Sequence, residues 1–219
     1  MLIAGVDEAG RGPALGPMVL SIASIEKKDE EKLVKLGVKD SKLLTEKERE
    51  RQNKELPKIL FEFNSVHIGP AEIDQLRDRK SLNEIEAMRI GYLLNSLKRK
   101  PDIAYIDSPD PIAKNFGKRI EKYISFSLEI RAEHKADLNY PIVGAASIIA
   151  KVERDAAIKR LCRQHGNMGS GYPHDPDTIS FLCNWVKKNK SLPDFARKSW
   201  ETSKNIENKV FQKKLDQYK

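Results

Sequence analysis

The chain has 219 residues, enough for one good core with a small appendage. Lysine and arginine number 40 against 32 acids, a formal charge of +8, which favours a polyanionic partner, and nucleic acid is the commonest. Two cysteines speak against a disulfide scaffold, and no stretch reads as a secretory signal or a membrane span, so the expectation is a cytoplasmic protein with no membrane partner.

The first apolar run ends abruptly in two adjacent carboxylates, Asp7 and Glu8, and a glycine-arginine-glycine turn follows at Gly10, Arg11 and Gly12. A buried strand that delivers acids to its end suits a hard cation, which takes oxygen ligands. The glycines let a ligand approach the main chain, and Arg11 offers a planar donor fork for phosphate. The bland alternative is a strand with solvated acids after it. In a regular strand Asp7 and Glu8 point to opposite faces, so sharing one site requires the strand to end or bulge at Glu8.

Residues 18–25 are apolar and rich in branched side chains, which predicts a second strand paired with the first. Residues 30–36 predict a short helix ended by Gly37. Asp40, Ser41 and Lys42 lie in a loop. Thr45 caps the next helix, with Glu48 completing a capping box. Residues 59–68 alternate as a third strand, 70–76 form a helical turn, and 81–97 carry an apolar helical stripe. Residues 103–106 are a short buried strand that again ends in an acid, Asp107. A helix over 115–123 and a fifth strand over 126–130 lead to Asp137. Pro141 opens a helix that carries Ser147, Lys151 and Arg154 on one face. Residues 169–173 form a turn-rich loop bearing Tyr172, and helices over 177–187 and from 194 onward complete the chain.

This order gives an α/β fold, with an antiparallel first pair and parallel crossovers after it. Sites in such sheets form at the carboxyl ends of strands. Asp7 and Asp107 stand at such ends and Asp137 follows the fifth strand, so Asp7, Glu8, Asp107 and Asp137 are expected to converge. Four carboxylates together require cations, and two Mg²⁺ or Mn²⁺ ions about 4 Å apart would suit phosphoester chemistry. Taken alone, Asp107 also fits an S-P-D turn, Asp137 a helix-approach acid, Tyr172 a rim aromatic, and Lys42, Lys151 and Arg154 solvated cations in place of phosphate contacts. His134 reads as a surface histidine, and His174 beside Asp175 lacks a nucleophile to make a triad.

The motifs D-E-A-G-R-G-P at 7–13, D-S-K at 40–42, Y-I-D-S at 105–108, K-A-D at 135–137, A-A-S-I-I-A-K-V-x-R-D at 145–155, G-S-G-Y-P at 169–173 and R-K-S-W-E-T at 197–202 run in order along the chain. With them it resembles type 2 ribonuclease H (ribonuclease HII), most closely its archaeal members. The resemblance implies a ribonuclease H-like mixed five-stranded sheet flanked by helices, with a small C-terminal helical appendage. The catalytic domain is expected over 1–174 and the substrate-binding appendage over 175–219. It implies an endoribonuclease, expected to be a monomer, that cleaves the RNA strand of RNA–DNA hybrids and duplex DNA carrying single ribonucleotides, as in ribonucleotide excision repair and DNA replication. Metal-assisted attack of water would leave 5′-phosphate and 3′-hydroxyl ends. Asp7, Glu8, Asp107 and Asp137 would hold the metals. Gly10, Arg11, Gly12 and Tyr172 would read the ribonucleotide–deoxyribonucleotide junction, and Lys42, Ser147 and Lys151 would join in binding substrate. A DNA nuclease of the same fold and an inactive nucleic-acid-binding module are the competing classes.

Overall fold

A computed structural model describes residues 1–38 and 44–215, with side chains through residue 211; the expected Lys42 contact lies outside the described residues. The chain divides into two compact units. One comprises Met1–Ala9, Val19–His67 and Lys80–Glu153, the other Gly10–Met18, Ile68–Arg79 and Arg154–Lys219.

The first unit holds a five-stranded sheet. Its strands are β1 (Leu2–Ala9), β2 (Met18–Glu26), β3 (Glu62–Ile68), β4 (Ile103–Asp107) and β5 (Glu129–Glu133), in the spatial order β3-β2-β1-β4-β5. β1 and β2 pair antiparallel, while β1, β4 and β5 pair in parallel. The sequence pattern explains the order. β1 and β2 are buried almost throughout, as central strands require, whereas β3 and β5 alternate with exposed residues and form the edges.

The helices of this unit are α1 (Glu30–Leu36), α2 (Glu46–Glu55), α4 (Leu82–Ser96), α5 (Ala113–Glu121), the short α6 (Ala136–Asn139) and the first half of α7 (Pro141–His165); α3 (Pro70–Arg77) belongs to the other unit. Gly37 ends α1 in the left-handed conformation, and Thr45 with Glu48 forms the expected capping box. One core cluster joins Ile3, Ala23, Ile25 and Tyr105 of the sheet to Ile142, Val143, Ala145, Ala146, Ile148 and Ile149 of α7. The approach is close because β1 carries Gly5. A Cβ there would stand 2.4 Å from the Ile142 carbonyl group, well inside van der Waals contact.

The second unit is built on α8 (Pro176–Asn189) and α9 (Glu201–Leu215), with the far half of α7. Ala14, Leu15, Met168, Leu182, Val186, Leu192, Ala196, Ile206 and Val210 form its core.

Three expectations shift. β3 begins at Glu62, three residues after the expected start at 59, because a 3-10 turn over Leu56–Lys58 leads into it. β5 begins at Glu129, three residues after the expected start, because an edge strand needs no continuous apolar run and the apolar Phe126 and Leu128 precede it. The last helix starts at Glu201 and not near 194. Residues 194–200 ahead of it are turns and a bend around a single bridge, Ala196 antiparallel to Leu15.

Candidate active site

Asp7, Glu8, Asp107 and Asp137 all lie in the first unit. The β1–β4 register pairs Val6 with Ile106, so one step further Asp7 and Asp107 stand side by side on adjacent parallel strands, about 5 Å apart along the ladder. Asp107 Oδ1 accepts the Ala136 N–H at 2.8 Å. Lys135 just before it adopts φ 57, a left-handed conformation unusual for a side chain other than glycine. That turn places Asp137 next in line, buried in the first turn of α6. α6 in turn rests on α7, where a Cβ at Gly144 would lie 3.4 Å from the Asp137 carbonyl.

Asp7 is 6 % exposed and its carboxyl is held well above the usual carboxylate range. Burial is the main cause, the charges of Glu8 and Asp107 add to it, and hydrogen bonds from the Ser147 hydroxyl and the Glu8 N–H oppose it. Ser147 is buried on α7, and Lys151 follows one turn later on the same face. Glu8 corrects one expectation. The ladder with β2 runs regularly through Asp7–Ser21, Glu8–Leu20 and Ala9–Val19, so the strand neither ends nor bulges there. The pleat sends Glu8 to the face opposite Asp7, yet its charge is still felt at Asp7.

Among the described residues, no three His, Cys, Asp or Glu side chains are gathered tightly enough to hold a metal ion as they stand. Two of the carboxylate oxygens are engaged by backbone N–H groups, Asp7 Oδ1 by Glu8 and Asp107 Oδ1 by Ala136. The donor set nevertheless fits a divalent cation in kind. It offers hard oxygens only, and a buried carboxylate beside two like charges is the environment a cation relieves.

The glycine-rich turn lies in the second unit. Gly10 adopts φ 81, and a Cβ there would meet the Pro17 carbonyl oxygen at 2.8 Å. Arg197 is wholly buried. It donates to the carbonyls of Gly10 at 2.6 Å, Arg11 at 2.8 Å and Gly16 at 3.1 and 3.2 Å. Trp200 Nε1 donates to the Gly12 carbonyl at 3.2 Å, its ring 4.8 Å from both the Arg77 and the Arg197 guanidinium carbons. From sequence, Arg197 and Trp200 were visible only as members of the R-K-S-W-E-T motif at 197–202.

Tyr172 borders the same turn, with its Cε1 atom 3.9 Å from where a Gly12 Cβ would be. Arg154, which the sequence leaves open as a phosphate contact or a solvated cation, is buried. Its guanidinium lies 5.0 Å from the Tyr172 ring centroid and donates to the Ser170 carbonyl at 2.6 Å. His134 is exposed and hydrogen-bonds the Asp110 carbonyl at 2.8 Å, as a surface histidine.

Asp175 secures the loop that carries Tyr172. It accepts from the Ser170 N–H and hydroxyl, both at 2.6 Å, and from the Asp177 N–H at 3.0 Å. These bonds pull its pKa down to about 2. A carboxyl depressed in the folded state adds stability above its unfolded pKa, near 3.9. That stability is lost as the pH falls from there through about 2. Acid titration of the melting temperature is expected to show this loss, and Asp175→Asn to flatten the curve between those limits.

The profile of the ribonuclease HII family matches residues 4–203. The ribonuclease HII of Pyrococcus furiosus is 44% identical over 214 residues, covering 98% of this chain and 95% of that one. Of solved structures, the ribonuclease H2 from Pyrococcus horikoshii OT3 is similar at 44% identity with a TM-score of 0.92, over 97% of this chain and 100% of that chain. The structure of the PCNA:RNase HII complex from Archaeoglobus fulgidus is similar at 39% identity with a TM-score of 0.83, over 92% of this chain and 96% of that chain.

Proposed function

This chain belongs to the ribonuclease HII family and is a metal-dependent endoribonuclease with a ribonuclease H-like fold; from that premise we propose that it hydrolyses the RNA strand of RNA–DNA hybrids and cuts 5′ of single ribonucleotides embedded in duplex DNA. The observation that carries the reading is the buried Asp7 of β1, set beside Asp107, the last residue of the adjacent parallel strand β4, and within reach of the Glu8 charge.

Asp7, Asp107 and Asp137 would hold Mg²⁺ or Mn²⁺, joined by Glu8, whose charge is felt at Asp7 although β1 stays regular there. When bound, such ions lower the pKa of a water and offset the charge developing on the scissile phosphate, leaving 5′-phosphate and 3′-hydroxyl ends. The chain's own residues do the rest. The ladder sets Asp7 and Asp107 in place, Ser147 orients Asp7, and Lys151 attracts a flanking phosphate, as Lys42 would. Affinity then falls with salt. The turn at Gly10, Arg11 and Gly12 reads the 2′-hydroxyl through its main chain, which can approach closely because two of the three residues lack a side chain. Tyr172 packs on the neighbouring sugar that lacks that hydroxyl. Residues 1–174 would then carry catalysis and 175–219 act as a substrate-binding appendage, in a monomer serving ribonucleotide excision repair and replication in the cytoplasm. Among the described residues no helix is long and apolar enough to cross a membrane.

Cleavage mapping tests the proposal. A duplex with one ribonucleotide is expected to be cut once, on the 5′ side of that ribonucleotide, and the all-DNA duplex to stay intact. Equal cutting of both duplexes would make the protein a DNA nuclease of the same fold.

A further inference from the structure

The three carbonyls of the glycine-rich turn all face the C-terminal segment. Those of Gly10 and Arg11 accept from Arg197, and that of Gly12 from Trp200. In a trans peptide the C=O and the following N–H point in opposite directions, and among the described residues there is no cis bond. Holding the Gly10 and Arg11 carbonyls therefore aims the N–H groups of Arg11 and Gly12 away from the buried guanidinium. Pro13 has no N–H, so the third carbonyl closes the turn without adding a donor. Consecutive N–H groups disposed in this way form a concave pair suited to one oxygen atom.

We infer that Arg197 and Trp200 are specificity-determining positioning residues, which hold the turn so that the N–H groups of Arg11 and Gly12 present a fixed donor pair to the 2′-hydroxyl of a ribonucleotide. This rests on the reading of the turn given under Proposed function. The side chains suit the task. A planar guanidinium spans three carbonyls, which a lysine ammonium on a flexible stem does not match. The Trp200 ring, between two guanidinium groups, is held against rotation, so Nε1 stays on the Gly12 carbonyl. Neither residue touches the substrate in this account; each acts through the backbone it holds.

The test measures binding in the Asp107→Asn protein, which keeps the substrate whole. Anisotropy with Mg²⁺ compares a duplex carrying one ribonucleotide with the all-DNA duplex of the same sequence. Trp200→Phe keeps the ring and deletes the Nε1 donor, so it is the variant of choice, with Arg197→Lys beside it. The expected result is a preference for the ribonucleotide duplex that drops about tenfold, or to unity, in Trp200→Phe, with all-DNA affinity unchanged. A lost hydrogen bond of this kind corresponds to roughly that factor. An unchanged preference in both variants overturns the inference and leaves the reading of the turn standing. An equal loss on both duplexes also overturns it, because that is a general role in fold or charge. No preference in the Asp107→Asn protein itself overturns the reading of the turn, and the inference with it.

Discussion

Asp7→Asn is expected to lower cleavage in Mg²⁺ by about 10³-fold or more while making the metal-free protein more stable. The activity loss follows from removing a ligand that would help hold the ion, a contribution of several kcal/mol to the transition state. The gain in stability follows from burial. Asp7 is held above the usual carboxylate range by desolvation and by Glu8 and Asp107. A group whose folded pKa is raised binds its proton more tightly in the folded state, so stability falls as the pH rises from its unfolded value through the folded one. Burial and the neighbouring charges make the ionised form a cost that a neutral amide of the same shape avoids. The expected gain is about 1–3 kcal/mol, or several degrees in melting temperature for a chain of this size. Mg²⁺ should raise the melting temperature of the wild type and leave that of Asp7→Asn nearly unmoved. Asp107→Asn should lose cleavage to a similar degree without becoming more stable, since its carboxylate already serves the Ala136 N–H. A melting temperature for metal-free Asp7→Asn at or below the wild type would refute the electrostatic account.

Arg197→Ala is expected to destabilise the protein by about 3–5 kcal/mol, because it strands a set of buried carbonyls. The side chain is wholly buried and bonded to the carbonyls of Gly10, Arg11 and Gly16. Thermal melting should fall by roughly 10 °C or more. Arg197→Met separates the causes. It restores most of the volume but none of the donors, so a loss close to that of alanine assigns the effect to hydrogen bonding, and a rescue to within about 1 kcal/mol assigns it to packing.

Much of this was legible along the chain. β1, β2 and β4 were read from short apolar runs, since a strand buried on both faces must be apolar throughout. The Thr45 cap and the Gly37 stop were local backbone chemistry and needed no partner. Asp107 could be placed at a strand end because the acid breaks the apolar run where β4 stops, whereas Asp7, expected at an end too, stands two residues before the end of β1. The misses share one cause. β5 begins late because edge strands carry a weak apolar signal. Arg154 was open to reading as a phosphate contact or a solvated cation, as most arginines are, and Arg197 stood only within a motif. Their burial depends on carbonyls from turns remote in sequence, at Ser170 for one and at Gly10, Arg11 and Gly16 for the other.

By itself the sequence determined the order of the strands along the chain, the acids available for a metal, the glycines where the backbone must bend, and the family. Tertiary structure alone decided that Asp7 and Asp107 are register neighbours, that β1 runs regularly through Glu8 to Ala9, and that an arginine near the far end of the chain organises the turn near its start. The division has a physical reason. Propensity and patterning act over a few neighbouring residues, whereas desolvation, charge repulsion and hydrogen bonds to buried carbonyls depend on groups that only folding brings together.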